Sequence, residues 1–201
     1  IERLGQGEAL LPLIEAIERR CRGSEGIKLI ELLRRRAPMW LAQLPSVLQA
    51  GEREALQRAI LGAGRERMVR EGCELLETLS RNIPLIVVIE DLHWSDNSTL
   101  DLLSLLAQRS EPASLLVLAS YRPGDASAQA HPVRLAHRKL QLRGISMEIP
   151  IDPFSIDEIG NFLTRRFPDI EISESVAQTL HARTGGHPLF VTNLVEYLIS
   201  Q

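Results

Sequence analysis

The residues that could do chemistry sit where an apolar run ends. Leu85-Ile86-Val87-Val88-Ile89 is uniformly apolar and rich in β-branched side chains, and two acids, Glu90 and Asp91, come directly after it. An apolar strand closed by a carboxylate pair is a layout in which one acid holds the Mg²⁺ of a bound nucleotide, usually through water. The next acid then orients or deprotonates the water that attacks the γ-phosphate. By position, Glu90 is the metal-side acid and Asp91 the water-side acid. Acids also end strands as solubilising caps or helix N-caps, and the bare pattern leaves that open. A second apolar run, Leu115-Leu116-Val117-Leu118-Ala119-Ser120-Tyr121, ends in Arg122-Pro123-Gly124. If the two runs neighbour each other, the Arg122 guanidinium can share a network with Asp91; otherwise it caps carbonyls or pairs with Asp125. His93 can hydrogen-bond Asp91 or a phosphate, or be a satisfied loop residue, while Trp94 reads as a packing anchor between the sheet and a helical subdomain. Ser95 lies close to His93 and Asp96, but no Gly-x-Ser-x-Gly elbow surrounds it, and three neighbours on one loop do not easily line up as a triad. His131, His137 and His181 show no metal-ligand spacing.

The elements that must hold these residues can be read from pattern. In open α/β sheets the ligand crevice lies beyond the carboxyl ends of the strands, where both acids and Arg122 fall. Runs so apolar read as strands buried on both faces, in a parallel sheet with helices on each side. Between them, Asp96 or Ser98 can cap a helix whose Leu100, Leu103 and Leu106 or Ala107 face inward. An Arg-rich helix near Val133–Leu142 leads to a third expected strand near Met147–Ile151. Strand–helix–strand–helix–strand predicts an α/β fold with right-handed crossovers.

Upstream, Leu10, Leu13, Ile14, Ile17 and Cys21 follow helical spacing, as do Ile27, Ile30 and Leu33 until Ala37-Pro38. Pro45 and Gly51 punctuate a connector with Trp40 and Leu44. A longer helix is expected from about Glu52 or Arg65 to Leu79, interrupted by Gly62, Gly64 and Gly72. Downstream, Ser155 and Glu158 have capping-box spacing and open a helix to about Phe167. Ser173 or Glu174 opens another that stops at Gly185-Gly186, and Pro188 starts the last. The expected organisation is a helical segment over 1–83, an α/β core over 84–152 and a small helical subdomain over 153–201.

Composition narrows the class. The chain has 201 residues, 44% hydrophobic and 24% charged. That is ordinary globular usage and excludes a disordered tail or a collagen-like repeat. No apolar run approaches the roughly 18 residues of a membrane span. Residues 1–83 carry 14 basic and 12 acidic side chains, and the remainder 9 and 14. Neither part has the basic stripe of a nucleic-acid binder; Arg34-Arg35-Arg36 reads as a solvated helix face. The two cysteines, Cys21 and Cys73, form no disulfide framework, which favours a reducing, cytoplasmic setting. The opening Ile1-Glu2-Arg3-Leu4 lacks a leader layout, and without an initial Met the chain is expected to be a piece of something longer.

The acid pair lies in a longer match. Ile89-Glu90-Asp91-Leu92-His93-Trp94-Ser95-Asp96-Asn97-Ser98-Thr99-Leu100-Asp101-Leu102-Leu103 closely resembles the Walker B segment of STAND-type signalling ATPases. These are the AAA-like P-loop ATPase domains of large bacterial transcriptional regulators and related adenylate cyclases. Leu118-Ala119-Ser120-Tyr121-Arg122-Pro123 resembles their sensor 1 strand, and Thr184-Gly185-Gly186-His187-Pro188-Leu189-Phe190-Val191 their Gly-x-Pro turn. Gly5-Gln6-Gly7-Glu8-Ala9-Leu10-Leu11-Pro12-Leu13 is similar to the stretch after their second strand. The resemblance implies a partial P-loop NTPase with a helical lid, taking ATP and Mg²⁺ between sheet and lid. In it Glu90 serves Mg²⁺, Asp91 the water, Arg122 the γ-phosphate, and Gly186, His187 and Pro188 the lid that meets adenine or the β-phosphate region. For His187 and Pro188 the alternative is simply a helix start.

One departure stands out. The 201 residues hold no Gly-x-x-x-x-Gly-Lys-Ser/Thr loop, whose backbone N–H groups and ammonium cradle phosphates. Lys28 and Lys139, the only lysines, follow no glycine-rich turn. Truncation is the expected reason, so the chain alone is expected to bind ATP very weakly and not turn it over. The intact protein is expected to be a nucleotide switch in a cytoplasmic regulator. Its partners would be ATP and further domains of the same polypeptide, with a nucleotide-dependent oligomer as a further option and neither direct nucleic-acid contact nor membrane. The alternative is a non-catalytic scaffold or oligomerisation module whose acids are relics.

Overall fold

The computed structural model describes residues 10–48, 50–81, 83–108, 113–124 and 131–200. The chain divides into two compact units, Ile1–Met147 and Glu148–Gln201. The Gly5–Ala9 part of the similarity and the Asp125 alternative for Arg122 lie outside the described residues.

The first unit opens with helices α1 (Leu11–Cys21), α2 (Gly26–Arg36) and α3 (Pro38–Ala42), then α4 (Ala50–Ala59) and α5 (Arg65–Ser80). Pro38, expected only as a stop, begins the short α3, where a missing N–H costs nothing. Trp40 of that helix, read from sequence as part of a connector, is fully buried and donates its Nε1–H to the Met68 carbonyl at 2.8 Å. Gly72 makes this possible. A Cβ there would lie 2.4 Å from the indole Cζ2, so this glycine marks a close approach within α5 and not its end. The break falls earlier, at Gly62 and Gly64 between α4 and α5. Buried Glu71 accepts from the Met39 N–H at 2.7 Å and from Arg67 Nε at 2.8 Å. These bonds satisfy its charge and tie α3 to α5. The arginine run is solvated as expected, with Arg34 paired to Glu52 and Arg35 to Glu31.

Strand β1 (Leu85–Ile89) pairs in parallel with β2 (Leu115–Ala119), Leu85 opposite Leu115 through Ile89 opposite Ala119. Helix α6 (Asn97–Leu106) makes the crossover, and α7 (Pro132–Gln141) follows β2. Two sequence expectations fail here. Among the described residues the sheet has only two strands. Residues 145–155 form no strand, and Met147, Ile149 and Ile151 are exposed. A strand exists only through a neighbour's N–H and C=O groups, and no such neighbour stands among the described residues. Nor are β1 and β2 buried on both faces. Leu85, Val87 and Leu115 pack on the main core, while Ile86, Val88, Leu116 and Leu118 are exposed. Apolar side chains on both faces show what the strands tolerate; covering the second face needs elements that the described part of this unit does not supply.

The second unit contains α8 (Ile156–Arg166), α9 (Glu174–Thr184) and α10 (Pro188–Ile199) around Ile159, Leu163, Leu180, Val191 and Val195. The capping box forms. Glu158 N–H donates to Ser155 Oγ, and Ser155 N–H donates to the Glu158 carboxylate, which holds that carboxyl below its usual range.

Candidate functional site

Parallel pairing in this register brings the two strand tips together. Glu90 and Asp91 follow β1, and Arg122 lies three residues beyond β2. The Asp91 backbone is left-handed (φ 51°, ψ 46°), a region that aspartate tolerates better than most residues. That conformation turns the chain sharply off the strand into a 3-10 turn at Leu92–Trp94. Ser120 holds the turn: its Oγ accepts the Asp91 N–H at 3.1 Å, and its carbonyl accepts the Leu92 N–H at 2.7 Å. Arg122 Nε lies 3.9 Å from Asp91 Oδ1, and both side chains are open to solvent. Beneath the tips a small core of Ile89, Leu92, Leu100 and Val133 supports them.

The two residues after Leu92 point opposite ways. Trp94 is 68% exposed, whereas His93 turns inward with only 2% of its side chain accessible. The two rings contact each other at 5.3 Å. His93 Nδ1 lies 3.9 Å from Asp91 Oδ1 and accepts the Arg122 N–H at 3.3 Å. The direct hydrogen bond therefore goes to the backbone of the second tip. Ser120 had no distinguishing sequence signal; a hydroxyl one residue past an apolar run is too common to single out.

Asp96 does more than cap a helix. Its carboxylate accepts the N–H groups of Ser98 and Thr99, the Thr99 hydroxyl, and the Leu10 N–H at 3.1 Å. Leu10 is fully buried and left-handed (φ 64°), so Asp96 pins a strained entry into α1 to the start of α6. Burial pushes the Asp96 carboxyl up, but these donors outweigh it and the group ends below its ordinary value. With the folded value depressed, its stabilisation is complete above the unfolded value and disappears as pH falls through the folded one. Asp96→Asn should therefore cost about 2 kcal/mol at neutral pH. Urea unfolding of both forms should show that gap narrowing near about pH 3; an equal gap at both pH values would remove the ionised carboxylate as the cause.

Gly186, His187 and Pro188 belong to the second unit. Gly186 is left-handed (φ 75°) and buried, and its carbonyl accepts the Phe154 N–H at 2.8 Å. His187 is exposed, contacts the Phe190 ring at 4.7 Å and precedes Pro188, the first residue of α10.

The acid pair suits a hard divalent cation. Both carboxylates are solvent-accessible oxygen donors at a strand end, where Mg²⁺ can keep most of its waters. Among the described residues no group of three or more His, Cys, Asp or Glu side chains comes together as a metal cage. Residues 6–118 match the AAA ATPase domain family. The chain belongs to that family. Within this AAA ATPase domain the matched region includes Glu90 and Asp91 and stops short of Arg122 and the second unit. An uncharacterized protein of Rhizobium meliloti (strain 1021) is 27% identical over 139 residues, 67% of this chain. The matched stretch is 12% of that relative's length. No solved structure matches. No helix among the described residues is long and apolar enough to cross a membrane.

Proposed function

We propose that this AAA ATPase domain forms the acidic, water-activating half of an ATP-hydrolysing switch in a bacterial signalling or transcriptional regulator. The observation that carries the reading is the Asp91 carboxylate beyond a parallel strand pair, with the Arg122 guanidinium 3.9 Å away. Asp91 accepts a proton from the attacking water, and Arg122 meets charge that develops on the γ-phosphate. Glu90 is the residue that would hold Mg²⁺. Mg²⁺, when bound, would neutralise charge on the phosphate oxygens. By the family resemblance, Gly186, His187 and Pro188 contribute to nucleotide binding. A cytoplasmic setting, further output domains on the same polypeptide and nucleotide-dependent oligomerisation belong to this proposal too.

The reading calls for a phosphate-binding loop, which these 201 residues do not contain. Its test therefore uses a polypeptide that carries such a loop together with this chain. Calorimetric titration with ATP should show affinity that drops when Mg²⁺ is chelated. Glu90→Gln should weaken binding in Mg²⁺ about tenfold and leave binding in chelator unchanged. Full Mg²⁺ dependence in the variant would take Glu90 out of the metal role, and absence of any ATP binding would favour the scaffold alternative.

A further inference from the structure

The parallel ladder ends at the pair Ile89 and Ala119, yet the two chains stay joined past it. Ser120 N–H donates to the Ile89 carbonyl at 3.0 Å, and Leu92 N–H donates to the Ser120 carbonyl at 2.7 Å. Beyond that point side chains take over as acceptors: Ser120 Oγ for the Asp91 N–H, then His93 Nδ1 for the Arg122 N–H. A backbone N–H can only donate, so the nitrogen that receives it must present a lone pair. The His93 proton then sits on Nε2. The Arg122 side chain is 73% exposed and reaches Asp91 at the outer limit of an ion pair. Such a contact aims a guanidinium weakly. The backbone amide two bonds from its Cβ is held by a nearly inaccessible imidazole.

We propose that His93 is a positioning residue: its Nδ1 extends the strand ladder by one bond, fixes the Arg122 backbone, and so aims the guanidinium at Asp91. The consequence for turnover rests on the ATP-hydrolysing reading; the hydrogen bond does not. The acceptor role makes a prediction that packing alone reverses. Phe fills the imidazole's space but offers no acceptor. Asn is smaller, yet places Oδ1 on Cγ where Nδ1 stood.

The test is nuclear magnetic resonance on the isotope-labelled chain. Long-range proton–nitrogen correlation of wild type should show His93 with a bare Nδ1 and a protonated Nε2. Amide exchange at Arg122 should quicken about tenfold in His93→Phe and stay within about twofold of wild type in His93→Asn. A proton on Nδ1, unchanged exchange in His93→Phe, or better protection in Phe than in Asn would overturn the proposal. If His93→Phe fails to fold, the wild-type tautomer and the His93→Asn exchange rate still decide. In a polypeptide that also carries a phosphate-binding loop, His93→Phe should lower kcat with little change in KM, and His93→Asn should restore it. If the Arg122 amide responds as expected while no form hydrolyses ATP, His93 keeps its role and the ATP reading falls. If ATP is hydrolysed while the amide ignores His93, the reverse holds.

Discussion

Asp91→Asn is expected to slow ATP hydrolysis by about 100-fold or more in a polypeptide that joins this chain to a phosphate-binding loop. ATP affinity should stay within about threefold of wild type. The amide keeps the shape of the carboxylate and, like it, accepts a left-handed backbone, so the turn off β1 and its bonds to Ser120 should survive. What is lost is the capacity to take a proton from water. The ion pair with Arg122 is lost as well, but both partners are exposed and its contribution to stability is small. Single-turnover kinetics beside equilibrium binding separates the two effects. Hydrolysis at the wild-type rate would remove Asp91 from the water-side role.

Gly186→Ala should destabilise the second unit by about 3 kcal/mol or more, whereas Gly185→Ala should cost only about 1–2 kcal/mol. Both glycines are left-handed, with φ of 75° and 61°, so both substitutions carry the backbone penalty of an L-residue there. They differ in surroundings. A Cβ on Gly186 would lie 2.2 Å from the Phe154 carbonyl oxygen, a backbone atom that cannot swing away, while nothing lies within 4 Å of one on Gly185. Displacing Phe154 would also break its N–H bond to the Gly186 carbonyl, which ties the segment before α8 to the turn before α10. Hydrogen exchange across α8–α10 in the full chain measures both variants. Equal losses would show that conformation alone, and not the approach to Phe154, requires glycine at position 186. The same contact gives Gly186 a structural reason to be present, independent of any nucleotide.

Much of the local architecture was legible in the sequence. Asp96 opens α6, Ser155 and Glu158 form their capping box, Gly185 ends α9 and Pro188 begins α10. Each signal acts within four residues, so the sequence nearby contains all the atoms involved. The acid pair was legible for the same reason: the apolar run and the two carboxylates after it are contiguous. The expected third strand near Met147 and the double-sided burial of β1 and β2 were not realised. Both expectations required partners distant in sequence, and periodicity carries no information about whether those partners arrive.

By itself, then, the sequence determined most of the helices, the two strands, the caps and the placing of two acids at a strand end, because backbone preference and side-chain-to-backbone bonds are short-ranged. Only the tertiary structure decided that the second tip lies beside the first, that His93 faces inward while Trp94 faces water, and that Asp96 reaches back to Leu10. These depend on strand order, register and the rotation of a short turn. Those are settled by packing among residues 29 to 86 positions apart, where no local pattern reaches.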